Sequence, residues 1–232
     1  MMDLSIRLQA VSDLISDGMT VADVGTDHGY IPIYLLQSGK CPRAIAMDVN
    51  EGPLLRAKEH IGAYHLSEVI DVRLSDGVKK LTPGEVECVV IAGMGGALTI
   101  KILEEGENVF RTLREFVLQP QSELWKVRQY LCENGYCITE ENMVLDDGKY
   151  YPMMKVINGQ GPTYDTVELR YGKILLEQKN PVLFQFLEKE SRAKTEILQS
   201  LAQKEGAHIR GRQEIIRKEL EEIVDALQRY YQ

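Results

Sequence analysis

The 232-residue sequence has no apolar run approaching the roughly 20 residues that a membrane-crossing helix needs. Its opening, MMDLSIRLQAVSDL, lacks the basic-then-apolar layout of a secretion signal, so a cytoplasmic protein without membrane contact is expected. No CxxC pair occurs among Cys41, Cys88, Cys132 and Cys137. That spacing predicts neither a zinc site nor a disulfide framework, and no bound metal is expected. Positive charge is also short: the net charge is −8. Nucleic acid is therefore not gripped through overall charge, although a local basic patch remains open. The acidic excess lies within residues 1–162, whereas residues 163–232 carry 12 Lys/Arg and 12 Asp/Glu. A hydrophobic share of 44% and a charged share of 27% are those of a folded globular protein rather than a disordered one.

Branched, apolar runs are present, and they alternate with helix-like segments. Strands are predicted at 20–25, 43–49, 69–74, 86–93 and 115–120, several apolar on consecutive residues, as in a parallel sheet covered on both faces. Helices are predicted at about 31–38, 51–65, 96–107 and 122–134, with Asn50 and Ser122 as N-caps and Gly135 as a C-cap. The repeat implies a doubly wound α/β sheet. YCITEENMVL and KYYPMMKVIN then flank Asp146-Asp147-Gly148, a hairpin signal. A doubly wound sheet that ends in an antiparallel hairpin resembles the class I methyltransferase (Rossmann-like) sheet more than that of dinucleotide dehydrogenases.

Asn158 to Pro162 reads as a linker, dividing a domain at 1–160 from a helical one at 161–232. In the second, Ile209, Ile216, Leu220, Ile223, Leu227 and Tyr230 follow a heptad seam, and Leu183, Phe186, Leu187, Ile197, Leu198 and Leu201 form a looser stripe. Gly206 and Gly211 mark a turn between them. Two arrangements fit: an antiparallel helical hairpin with coiled-coil packing, or a stripe packed on the first domain. A monomer or a weak homodimer is compatible with either.

The chemistry gathers at predicted strand ends. Val21-Ala-Asp-Val-Gly25 is an apolar strand closing on acid-x-glycine, and the next helix would aim its first amides at a ligand over Gly25. Taken alone this turn is equally explained by sterics. Three further ends agree with it: Asp48, placed to accept from ribose hydroxyls; Asp76, placed to meet an adenine amino group, with Gly77 leaving room for the ring; and Ala92-Gly-Met-Gly-Gly96, which frees backbone at the carboxyl edge. A nucleotide loop would usually carry glycine where Asp27 stands. A carboxylate there repels a pyrophosphate, and no GxxxxGK[ST] is present, so NAD, FAD and ATP are disfavoured. S-adenosyl-L-methionine, with adenosine but a sulfonium and an amino-acid end in place of phosphates, suits the same loop.

The early Ser5-Ile-Arg7-Leu8, the loop Asp23-x-Gly25-x-Asp27-His28-x-Tyr30-x-Pro32, Ile91-Ala-Gly-Met-Gly-Gly96 and Leu118-Gln-Pro120 together resemble the bacterial tRNA (adenine-22-N1)-methyltransferase family. The resemblance spans the chain, except that Gln121 stands where some relatives carry Asn. It implies a class I fold, S-adenosyl-L-methionine as donor, tRNA as partner and adenine N1 as acceptor. It places Asp23, Gly25, Thr26, His28, Asp48, Val49, Asp76, Gly77, Ala92, Gly93 and Met94 about the cofactor, with Arg7 toward its carboxylate.

Adenine N1 carries a lone pair that base pairing occupies, so the target base must be unpaired or flipped. Asp27 is the first candidate to accept from its exocyclic amine, followed by the Ala92 carbonyl and Gln119. Asp27 could instead contact the cofactor or cap the helix near Gly29. Basic candidates for a tRNA path are Lys79-Lys80, Arg111, Arg114, Lys126, Arg128 and, at the hairpin tip, Lys204, His208, Arg210 and Arg212. The competing functions are methyl transfer to another acceptor (other RNA, protein or small molecule) and a non-catalytic module that binds an adenosyl ligand.

Overall fold

The computed structural model describes residues 2–202 and 206–232, which form two compact units, Met1–Thr163 and Tyr164–Gln232. The first unit begins with α1 (Ile6–Leu14), followed by β1 (Val21–Val24), α2 (Tyr30–Gln37), β2 (Ala44–Asp48), α3 (Glu51–Ala63) and β3 (Ile70–Leu74). It continues through β4 (Cys88–Met94), α4 (Gly96–Glu105), α5 (Glu107–Phe110), β5 (Glu115–Pro120), α6 (Leu124–Glu133), β6 (Tyr136–Asp146) and β7 (Lys149–Asn158).

One seven-stranded sheet results, in the order β3-β2-β1-β4-β5-β7-β6. Neighbours from β3 to β5 run parallel, while β7 lies antiparallel to both β5 and β6. The consecutive apolar runs are buried throughout: Val21–Ala22, Ala44–Met47, Cys88–Ile91 and Phe116–Leu118 are all core. Covered on both faces, each large side chain among them contributes about 1.5–3 kcal/mol of burial. The chain leaves β1 toward β2 in one direction and reaches β4 in the other. That reversal opens a crevice beyond the carboxyl ends of β1 and β4, where open α/β sheets bind ligands.

Three local expectations are corrected. Ser122 does not cap α6; Glu123 occupies the N-cap position, with φ of 51° and no side-chain cap, and the Ser122 hydroxyl instead accepts from the Gly96 amide at 3.2 Å. Gly29 (φ 71°) occupies the N-cap of α2 without a side-chain cap, so Asp27 is not a helix cap. Arg128 is not a surface cation: it lies buried and bonds Glu141 at 2.8 Å, tying α6 to β6.

The second unit comprises α7 (Thr166–Tyr171), α8 (Lys173–Glu177), α9 (Pro181–Ala202) and α10 (Ala207–Tyr230). Asp165 and Glu168 form a reciprocal capping box on α7. Lys194 pairs with Glu219 at 2.8 Å and Gln213 donates to the Leu201 carbonyl at 2.9 Å, so α9 and α10 run antiparallel. Leu183, Leu187, Ile216, Ile223 and Ala226 are buried in it, whereas Ile197 is exposed. Gly206 stands at the N-cap of α10, but Gly211 lies inside that helix and marks no turn. Lys204 falls outside the described residues.

Candidate active site

The chain remains bonded to β2 past the end of β1: the Gly25 and Thr26 amides both donate to the Met47 carbonyl, at 2.8 and 2.9 Å. It then turns through left-handed backbone at Asp27 (φ 44°). Gly25 has φ of 80°, and a Cβ there would fall 2.4 Å from Met94 Cε. The absent side chain therefore lets the β1 loop and the end of β4 meet. Across that gap, β4 carries a register shift between Ala92 and Met94, with Gly93 at φ 81°. The irregularity detaches the Gly93 amide from the strand ladder.

That amide donates to Gln119 Oε1 at 3.1 Å, and Arg7 Nη1 donates to the same oxygen at 3.0 Å. Two N–H donors about one terminal atom identify it as the oxygen, because an amide nitrogen could accept from neither. Both lone pairs are then engaged. The Gln119 oxygen is thus committed to Arg7 and Gly93 in this arrangement. Gln119 Nε2 is buried without a partner, as is His28 Nδ1. A buried polar atom left so costs about 1–3 kcal/mol. Both belong to residues at the carboxyl edge of β1 or β5, so the residues present fit a polar ligand.

Asp23 lies buried at the end of β1. Burial pushes its carboxyl up to about 6, with Thr26 and Arg7 pulling the other way and Asp48 adding to the rise. Asp48 accepts from the Asn50 amide at 2.8 Å, and its carbonyl takes the Ser75 amide at 2.8 Å. Beside it, Val49 and Leu74 expose 59% and 49% of their surface, bare apolar ground at the ends of β2 and β3. Asp76 pairs with Lys79 at 2.5 Å, and Lys79 also reaches Glu105 at 2.8 Å. Lys79 holds the Asp76 carboxyl below its ordinary range. A Cβ at Gly77, where φ is 57°, would meet the Ile102 side chain of α4 at 3.2 Å, so the missing side chain lets α4 pack close.

Asp27 bonds Arg56 Nη2 at 2.6 Å and lies 3.5 Å from His28 Nε2. The His28 ring stacks on Tyr30 at 5.0 Å and on His60 at 5.3 Å, and His60 Nδ1 lies 3.1 Å from the His28 carbonyl. Arg56 and His60 come from α3 and escaped the sequence reading; their spacing on one helix carried no mark of a loop some thirty residues earlier. Asp146 and Tyr151 escaped it too, having read only as hairpin residues. Yet Asp146 Oδ2 accepts from the Arg7 amide at 3.0 Å, and the Arg7 guanidinium lies 5.5 Å from the Tyr151 ring centroid.

Besides Arg128, four of the basic residues proposed for a tRNA path are engaged by carboxylates. Lys79 meets Asp76 and Glu105, Arg111 meets Glu107, Arg114 meets Glu87, and Lys126 meets Glu123. Lys80 is exposed, as are His208, Arg210 and Arg212 near the start of α10. Among the described residues, no group of three or more His, Cys, Asp or Glu could hold a metal ion, and no helix is long and apolar enough to cross a membrane.

A family model described as a methyltransferase domain matches residues 4–154. The chain is 35% identical over 184 residues to the tRNA (adenine(22)-N(1))-methyltransferase of Bacillus subtilis, covering 77% of each chain. It also resembles the crystal structure of a Streptococcus pneumoniae protein described as a candidate tRNA (m1A22) methyltransferase. The TM-score is 0.89 at 31% identity, over 97% of this chain and 100% of that one. The structure of that protein in complex with S-adenosyl-L-methionine matches with a TM-score of 0.87 at 31% identity, over 97% of this chain and 100% of the other.

Proposed function

The chain belongs to the bacterial tRNA (adenine-22-N1)-methyltransferase family, and from that membership we propose how its crevice serves the reaction. The protein is an S-adenosyl-L-methionine-dependent enzyme that methylates N1 of adenine 22 in tRNA. The observation that carries the reading for these residues is the pair of unpartnered buried polar atoms on His28 and Gln119, at the strand ends where an open α/β sheet takes its ligand. Asp48, Val49, Asp76 and Leu74 would take the adenosine of the cofactor; Asp23, Gly25, Thr26 and Arg7 would take its amino-acid end. Ala92, Gly93 and Met94 would wall the space between donor and acceptor.

S-adenosyl-L-methionine supplies a methyl group on a sulfonium. Adenine N1 uses its lone pair to form the new N–C bond as the C–S bond breaks, so the positive charge passes from sulfur to the purine ring. No proton need move in that step. The protein's part is to align the base and to stabilise the charge arriving on it. Asp27 is suited to stabilising that charge, because its carboxylate is exposed beside the crevice and Arg56 and His28 fix its direction. It would accept from the exocyclic amine, with the Ala92 carbonyl as the alternative acceptor. We further propose that the enzyme acts in the cytoplasm, as a monomer or weak homodimer, and without a metal.

The test is incubation of the protein with labelled S-adenosyl-L-methionine and bulk tRNA, followed by digestion to nucleosides. Label is expected in 1-methyladenosine. Label in another nucleoside would reassign the acceptor, and none at all would leave an adenosyl-binding module without activity.

A further inference from the structure

Arg7 is held at two points by one hairpin. Its backbone amide, in the first turn of α1, donates to Asp146 Oδ2 at 3.0 Å, and its guanidinium lies over the Tyr151 ring. Asp146 ends β6 and Tyr151 belongs to β7, so both contacts come from the turn region of the same antiparallel ribbon. At that end of α1 Ser5 and Ile6 are exposed, and the Ser5 hydroxyl caps the turn by accepting from the Leu8 amide at 3.3 Å. From this anchored position Arg7 reaches Gln119 Oε1, and the Gly93 amide meets the same atom.

We propose that Asp146 is a positioning residue for methyl transfer: through Arg7 it fixes the Gln119 side-chain amide with its oxygen turned to the protein and its NH2 reserved for a ligand. The inference rests on the reading of the crevice given above. Without Arg7 in place, a single donor, the Gly93 amide, would remain to define the amide's orientation, and the NH2 group could turn toward the protein. Gln119 thereby becomes a hydrogen-bond donor to an acceptor atom of the bound base or cofactor. A glutamate in its place would keep the bonds to Arg7 and Gly93 and lose the donor.

The proposal is tested on the full chain with Asp146→Ala, Asp146→Asn and Gln119→Ala, alone and with each Asp146 variant combined with Gln119→Ala. In 1H–15N spectra the Gln119 side-chain NH2 signal is assigned by its loss in Gln119→Ala. Asp146→Ala should move that signal toward the position of a free amide and lower kcat about 10-fold, since small misplacements of positioning groups are costly in rate. Asp146→Asn should keep both near wild type, because its carbonyl can accept the same N–H. In the Gln119→Ala background, Asp146→Ala should cause no further loss of kcat at saturating S-adenosyl-L-methionine, where Arg7's contact with the cofactor no longer limits the rate. An unmoved signal, equal losses in both backgrounds, or an Asn variant as impaired as the Ala variant would overturn the proposal. Wild-type protein that transfers no methyl group to tRNA would instead overturn the functional reading, while the spectra would still decide the placement of Gln119.

Discussion

Asp23, in β1, and Asp27, in the loop after it, sit four residues apart, yet their surroundings give them opposite character. The first is buried, with its carboxyl pushed up to about 6; the second is exposed and paired with Arg56. Between the unfolded value of 3.8 and the folded value of about 6, the native state holds the Asp23 proton more tightly than the unfolded chain does. Stability is therefore fullest below about pH 4 and declines as pH rises through 6. Asp23→Asn should remove that decline, stabilising the free protein by roughly 2–3 kcal/mol at pH 7.5 and by little at pH 4. Urea unfolding at the two pH values measures it, and an equal gain at both would show that burial is not the cause. For Asp27, a role at the base predicts that Asp27→Ala lowers single-turnover rate by about 10- to 100-fold while cofactor affinity changes little. Calorimetric titration beside rapid-quench kinetics separates the two; matched losses would confine Asp27 to the cofactor. The sequence showed that an acid at position 27 opposes phosphate. It could not show Arg56, because that partner stands 29 residues away on another helix.

At the scale of elements, the parallel strands and the helices between them were legible because their apolar runs are continuous and their ends are punctuated by Gly, Asp and Asn. The predicted strands at 69–74 and 115–120 became Ile70–Leu74 and Glu115–Pro120. Two helices, α1 and α5, were not read: α1 buries Ala10, Val11, Ser12 and Leu14, a stripe whose polar member conceals it, and α5 is only four residues long. The junction of β4, α4 and α6 shows what a pattern of glycines cannot distinguish. A Cβ at Gly96 would approach the Ser122 carbonyl to 2.4 Å, a backbone atom that cannot rotate away. Gly96→Ala should therefore force the 121–123 loop outward and destabilise the protein by about 1–3 kcal/mol. A chemical-unfolding midpoint equal to wild type would show that the loop yields freely. The ion pair between Arg128 and Glu141 gives a sharper case, since neither side chain is exposed by more than 1%. Arg128→Ala leaves a buried carboxylate without its cation and should cost about 3–5 kcal/mol, whereas replacing both residues with apolar ones should recover much of that loss. Equilibrium denaturation of the single and double variants tests the difference.

For the whole molecule, charge is distributed unevenly. Lys79, Arg111, Arg114, Lys126 and Arg128 are engaged by acids within Met1–Thr163, which carries the acidic excess. His208, Arg210 and Arg212, by contrast, are exposed at the start of α10. If these residues contact phosphates, Arg210→Ala with Arg212→Ala should reduce the slope of log affinity for tRNA against log salt by about 1–2, with cofactor binding intact. An unchanged slope in filter-binding titrations would leave the helical unit as a packing element. The sequence by itself determined the doubly wound sheet with its terminal hairpin and the loop unsuited to phosphate, because these depend on local periodicity and on residues adjacent in the chain; the family resemblance lay in its short motifs. Tertiary structure alone decided that Arg128 is core, that Asp27 is not a cap, and that the Gln119 oxygen is held by Arg7 and Gly93. Each of those outcomes depends on a partner distant in sequence, and hydrogen bonding and burial act between neighbours in space.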